Sequence, residues 1–506
     1  MRRMIAGAAL ILVAARPLIA QCPDGTPPPC AGARGARGAA PAATSVAVLA
    51  FDNLSRDTAD LYLIDGLAEE LTGRLGTVTR LRVTGRSVAR RAQQNAAGDL
   101  QAAGRTLNVR YLVEGSLRRS GSRVRISARL LRVSDGVLVW SDDYNRTMDD
   151  LLALQEDIAR QVAASVTGQL LPGERTVLAA RPTSNAAAYD HYLRGRYLLI
   201  RRTVASITQA AAEFDEAVRL DPGFAAAEAR RASALITAFG YGVALAPEDT
   251  LAVRARRYAE RALRLDSASS DAWSSVGQVH FWFEPYDLDA AVAALERAAV
   301  LDPRNAEAHH LLGVVLQCIP NRQEAAAAAF QRALVLEPAR AVTVLDLGEV
   351  RARQGRYEEA RALADSALAL DPLQARPHGF RSALRRRAGD IAGAQEDARN
   401  ALRLSGPARI RLFSLAAMAE FDVLAGDTTT ARARLAEIEG EYANWPIVYA
   451  LALAHLGMPD SALSVVRRGP LIPIDWGILD LPLFDALRRV PGYEGAVAPW
   501  RLRLRS

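Results

Sequence analysis

The pattern of apolar and polar positions changes character twice along the chain. From Ser45 to about Pro172 it alternates between short strand-like runs and helical ones. Ser45–Phe51 is a buried-strand run, and Leu61, Ile64, Leu67, Leu71 and Leu75 recur at helical spacing. Leu81–Thr84 predicts a second strand and Asp99–Leu107 a short helix. Three further strands, Tyr111–Leu117, Val124–Val133 and Val137–Tyr144, are joined by the turns Ser120-Gly121-Ser122 and Ser134-Asp135-Gly136. In the middle one Val124, Ile126, Ala128 and Leu130 alternate with Arg123, Arg125, Ser127 and Arg129, which puts one face on a core and one in water. Leu151, Leu154, Ile158, Val162 and Val166 then share one side of a closing helix. A sheet covered by helices, an α+β layer domain, is expected over 45–172.

Beyond residue 185 the period is purely helical and repeats. Helices end in Leu-Asp-Pro or a close variant at Pro222, Ser267, Pro303, Pro338, Pro372 and Gly406, with gaps of 45, 36, 35, 34 and 34 residues. A spacing near 34 residues is that of tetratricopeptide repeats. The long gap holds Phe239–Gly242 and Pro247, the signs of an inserted loop. Small residues fall where paired helices must touch: Gly195, Gly277, Gly313 and Gly348 in first helices, and Ala360, Ala394, Ala431 and Ala462 at the start of second ones. The fold class expected is therefore multidomain, a small α+β domain followed by an all-α solenoid over 185–469. Its later repeats are degenerate, there are seven or eight hairpins, and 470–506 cap the last apolar face.

The first domain also resembles a known family. Ser45–Leu54, then Asp65-Gly66-Leu67 with Glu69-Glu70-Leu71, Val113–Arg118, Val139-Trp140 and Tyr144, is similar to the amino-terminal TolB-like domain over about 125 residues. That module often stands ahead of tetratricopeptide repeats in bacterial proteins. The resemblance implies a fold and a binding role, and supplies no catalytic residues. In relatives it is commonly coupled to a regulatory, cyclase or DNA-binding domain, and none is evident in this sequence.

The first twenty residues read as an export signal. Arg2 and Arg3 precede the apolar run Met4–Ala15, too short for a membrane span, and Ala20 offers a cleavage position ahead of Gln21. The expected location is periplasmic or otherwise in the cell envelope, with no transmembrane span in the mature chain. An uncleaved anchor is one alternative and a lipidated Cys22 another, though Gln21 is the wrong residue before a lipidated cysteine. Residues 21–44 are a flexible linker of Ala, Gly, Arg and Pro, in which Cys22 and Cys30 are spaced to close a small disulfide loop.

Composition removes several chemistries. The 506 residues contain no lysine, so Walker-type phosphate loops, protein kinases and pyridoxal enzymes are excluded. The formal charge of +7 is spread over many helices, which argues against a nucleic-acid partner. His309, His310 and Cys318 are the nearest approach to a ligand set, but adjacent helical histidines point about 100° apart. Asp142-Asp143 lie on a strand, where neighbours face opposite sides, and Asp149-Asp150 at a helix start, where negative charge suits the dipole. Arg86, Arg90 and Arg91 read as a wet helix face. No catalytic residue, metal or cofactor is assigned.

What remains is the inner wall of the solenoid. By repeat register, Asp271, Ser274, Gln278, Glu307, His310, Gln317, Glu349, Arg376 and Arg386 are the expected groove-facing residues, running from acids and amides toward arginine. A protein or peptide partner is expected there, in a non-enzymatic envelope scaffold. The alternative is a regulatory or sensory subunit that modulates a separately encoded enzyme or transcription factor.

Overall fold

The computed structural model describes residues 42–55, 60–406, 408–440, 445–469 and 471–503. The expected signal segment, most of the linker, and Cys22 and Cys30 lie outside them.

The first domain is built on β1 (Ser45–Val48), β2 (Asp52–Asn53), α1 (Leu61–Thr77), β3 (Arg82–Thr84), α2 (Arg86–Asn95), α3 (Leu100–Leu107), β4 (Tyr111–Ser120), β5 (Arg123–Arg132), β6 (Leu138–Thr147), α4 (Leu151–Thr167) and α5 (Pro172–Ala179). The strand order is β3-β1-β4-β5-β6, with the short β2 paired to β4 off this path. β1 runs parallel to both its neighbours, and β4-β5-β6 is an antiparallel meander. The alternation in β5 is realised: Val124, Ile126, Ala128 and Leu130 are buried under α1 and α4, while Arg123, Arg125 and Arg129 are exposed. A smaller core on the opposite face joins Ala47, Leu49, Ala89, Leu112 and Val133.

Among the described residues eight helical hairpins follow: α6 (Ala186–Leu199) with α7 (Val204–Leu220), α8 (Ala225–Tyr241) with α9 (Glu248–Leu265), α10 (Ser270–Trp282) with α11 (Leu288–Leu301), and α12 (Ala306–Leu316) with α13 (Gln323–Leu336). Next come α14 (Ala341–Arg353) with α15 (Tyr357–Leu370), α16 (Ala375–Arg387) with α17 (Ile391–Leu404), α18 (Ala408–Leu424) with α19 (Thr428–Glu439), and α20 (Pro446–His455) with α21 (Pro459–Arg468). The recurrent ending works the same way at its four Leu-Asp sites, Asp221, Asp266, Asp302 and Asp371. The Asp leaves the helix in extended backbone, and its carboxylate accepts the N–H two residues on, at Gly223, Ala268, Arg304 and Leu373, over 2.9–3.2 Å. These turns lead each second helix into the next first helix, and stacking produces the tetratricopeptide-type solenoid.

The small residues do what their spacing demands. A Cβ on Gly195 would stand 2.7 Å from the Phe214 ring, and one on Gly313 2.6 Å from Phe330. In these two hairpins glycine lets the first helix lie directly on an aromatic ring of its own second helix, while Gly277 lies instead against Leu295.

Two features exceed the sequence expectation. The apolar core of the α+β domain continues without a break into α6, α7 and α8 through Tyr189, Tyr192, Leu193, Phe214 and Phe224. The last segment, α22 (Pro473–Leu479), α23 (Asp485–Arg488) and α24 (Tyr493–Arg503), covers the final hairpin as a cap should, but α22 also reaches α10. α18 likewise touches α8. The superhelix therefore curls round until its two ends meet, rather than standing open. No helix among the described residues is long and apolar enough to cross a membrane.

Candidate functional site

The curled superhelix surrounds a partly open cavity of about 2500 Å³. Its walls are the inner faces of the first helices α8, α10, α12, α14, α16 and α18. Helices α1 and α2 with β3 close one side, and Ile474, Ile478, Leu481 and Phe484 of the C-terminal segment close another. The α+β domain seats on the repeat loops through glycines: a Cβ on Gly76 would overlap the Arg304 guanidinium, and one on Gly85 the Leu336 carbonyl.

Seven of the nine expected groove residues line this cavity: Asp271, Gln278, Glu307, His310, Gln317, Glu349 and Arg376. Two do not. Ser274 is buried on α10 itself rather than on the wall. Arg386 points to the C-terminal segment, donating to the Pro482 carbonyl (3.1 Å) and to Glu420 (3.0 Å), with Asp485 at 3.9 Å. It holds the cap in place.

The wall charges do not run from acidic to basic along the axis; they pair between neighbouring hairpins. Arg230 bonds both oxygens of Asp271 at 3.0 and 3.1 Å. Arg340 binds Glu307, and Arg376 bridges Asp346 and Glu349, the latter at 2.8 Å. Arg353 reaches Gln317 at 2.9 Å. The partners are 27 to 41 residues apart, about one repeat, because equivalent positions of adjacent first helices lie side by side. Arg196 of α6 carries the series onto Glu69 of α1.

These pairs set the ionisation of the wall. Burial alone would raise the Glu307 carboxyl, but Arg340 beside it, together with Arg202 and Arg230, outweighs burial and holds it well below the usual carboxylate range. Burial pushes His310 down to about 3, with Arg340 adding to the effect, so its imidazole is neutral and hydrogen-bonded to Thr343 at 3.1 Å. Burial pushes the Asp346 carboxyl up to about 6 against the pull of Arg376.

Arg230, Arg340 and Asp346 were not among the sequence candidates. Each stands about one repeat from a residue that was, so reading the register across hairpins, instead of along each helix, would find them. The remaining sequence features do not converge. His309 turns to the Pro303 carbonyl (3.1 Å), His310 to Thr343, and the Cys318 thiol to the Val314 carbonyl (3.4 Å). Arg86 is ion-paired with Asp65 (2.6 Å) and Glu69 (3.3 Å) of α1.

No family profile matches the chain. Over 199 residues it is 32% identical to a protein of Rhizobium meliloti called putative adenylate cyclase 3. The match covers 39% of this chain and 34% of that one, so the chain spans about a third of the relative's length. Similar solved structures include PilW, a type IV pilus biogenesis factor, at 18% identity, covering 44% of this chain and 98% of that one with a TM-score of 0.36. Pseudomonas aeruginosa PilF, at 21% identity, covers 44% of this chain and 96% of its own, with a TM-score of 0.33.

Proposed function

We propose that the protein is a non-enzymatic interaction scaffold of the bacterial cell envelope that holds a polypeptide segment of a partner inside the groove. The observation that carries this reading is the size and make-up of the cavity. Small-molecule sites run to about 300–1,000 Å³; this one holds about 2500 Å³. The charged groups at its centre, Arg230 with Asp271, Arg340 with Glu307 and Arg376 with Asp346 and Glu349, are already paired with one another, so that part of the wall offers a polypeptide a mixed, largely neutralised lining. Exposed apolar side chains on the wall, Ile200, Val335 and Leu373, give a partner's apolar residues something to bury. The TolB-like reading of the first domain belongs to this proposal, as that domain forms part of the cavity wall. So does export, which draws on Arg2, Arg3 and the apolar run behind them.

The binding site is tested by photo-crosslinking in intact cells. A photoreactive side chain at Ile200 or Leu373, both exposed on the wall, is expected to yield a discrete protein adduct. The same group at Val253, exposed outside this cavity, is not. Equal labelling from all three positions, or none from the first two, refutes the groove. A second reading, a regulatory subunit acting on a separate enzyme, is favoured by the likeness to a protein named as a cyclase. A C-terminal reporter active only outside the cytoplasm supports the first reading; one active only in the cytoplasm supports the second.

A further inference from the structure

β6 is the outer strand of the meander. β5 lies along one side, and among the described residues nothing pairs with the other. Which of its backbone groups face outward follows from antiparallel alternation. The Met148 N–H donates to the Ser122 carbonyl (3.0 Å), one step beyond the Arg123–Thr147 pair that starts the β5–β6 register. Even-numbered residues of β6 therefore bond to β5, and Ser141, Asp143 and Asn145 turn their N–H and C=O groups away. Two of those groups are capped by side chains next to them. The Asp143 N–H donates to the Asp142 carboxylate at 2.8 Å, and the Arg146 guanidinium donates to the Asn145 carbonyl at 3.4 Å. Asp142, Tyr144 and Arg146 share one face, opposite Ala128, Ile126 and Val124. Asp142 and Arg146 are both exposed, and among the described residues neither forms an ion pair.

We propose that β6 pairs antiparallel with β6 of a second copy of this chain, about a twofold axis at Tyr144. In that register Asp142 stands opposite the partner's Arg146, and Arg146 opposite the partner's Asp142. Both are non-hydrogen-bonded positions, where side chains come closest. Asp143 and Asn145 then exchange the backbone bonds that Asp142 and Arg146 now cap. Because outward-facing residues must meet outward-facing residues, allowed registers differ by whole steps of the axis along the strand. Centring on Asp142 or on Asp143 sets that carboxylate against its own copy. Centring on Asn145 leaves both charges without an opposite. Edge charges normally keep strange strands away; these two do so and still fit their own symmetry mate, which is why a second copy is the occupant.

The test is sedimentation of the full chain over a range of concentrations, with circular dichroism confirming the fold of each variant. Wild type is expected to dimerise. Asp142→Arg and Arg146→Asp each replace two attractive pairs by two repulsive ones and should weaken dimerisation by roughly tenfold or more. The double exchange Asp142→Arg with Arg146→Asp restores it, a rescue that mere misfolding would not show. Asn145→Pro removes an outward N–H without touching the β5 ladder and should also give monomer. A wild type that stays monomeric throughout, or a dimer indifferent to both single charge reversals, overturns the proposal.

Discussion

At the scale of single residues the hairpins depend on where a side chain is missing. Gly313 sits on the fully buried Phe330 ring, with room for hydrogen and nothing larger. Gly313→Ala is therefore expected to lose about 1–3 kcal/mol, the usual cost of overpacking a core that cannot yield. Gly379, on α16, is a helical glycine of the other kind, since a Cβ there would meet only Ala401, at 3.9 Å. Gly379→Ala should raise stability by up to about 1 kcal/mol through helix propensity alone. Urea unfolding of the two variants checks the contrast. If both shift the midpoint the same way, the first contact is not a tight one. Both positions read simply as glycine in the sequence. Gly313 was legible as a helix-contact residue because its spacing repeats in Gly277 and Gly348, whereas nothing local marks Gly379 as open.

Between elements the bonds are electrostatic, and their pH dependence has a sign that can be worked out. His310 and Asp346, on α12 and α14, lie 3.7 Å apart, both buried. The folded-state pKa of His310 is depressed from 6.5 to about 3, so the unfolded chain takes up the proton first. Its contribution to stability is present above about pH 6.5 and is lost as pH falls toward 3. Asp346 behaves oppositely: its folded pKa, raised from 3.8 to about 6, makes the folded chain take the proton first. That contribution is present below about pH 4 and is lost as pH rises through 6. As pH falls from 7 to 4, wild type should lose stability relative to His310→Gln and gain it relative to Asp346→Asn. Denaturation midpoints of the three proteins at several pH values test this, and parallel curves would remove both groups as titrating sites. The elements themselves were largely readable, because β5 alternates cleanly and the Leu-Asp-Pro endings recur. α2 was harder, since the residues it buries are Ala89 and Ala92, too small to mark a periodicity. The Arg–acid pairs were harder still: each partner lies a whole repeat away, beyond what a helix-length window can connect.

For the whole molecule, an open solenoid has nearest-neighbour energetics, so a change in one hairpin is felt by the next and then fades. Closure alters that. Phe239 on α8 packs on Phe283 (5.0 Å) and Trp282 (6.1 Å) of its own end, and on Trp445 (6.3 Å), which precedes α20. The Arg409 guanidinium of α18 lies 4.1 Å from the Trp445 ring. The second hairpin is thereby clamped to the seventh and eighth, although some 200 residues separate Phe239 from Trp445. The sequence shows these aromatics without showing that they meet, because superhelical closure sums many small inter-hairpin rotations that no single repeat displays. Phe239→Glu places a charge in that contact while leaving the α18–α21 hairpins chemically unchanged. It should lower amide-exchange protection in α18 and α20 as well as in α8, and raise the radius of gyration measured by solution scattering. Gly379→Ala, within the ring but away from the clamp, serves as the comparison and should change neither. If Phe239→Glu disturbs only α8 to α10 and the scattering curve stays the same, the two ends do not support each other. The cavity would then be an open groove whose partner enters without any parting of the ring.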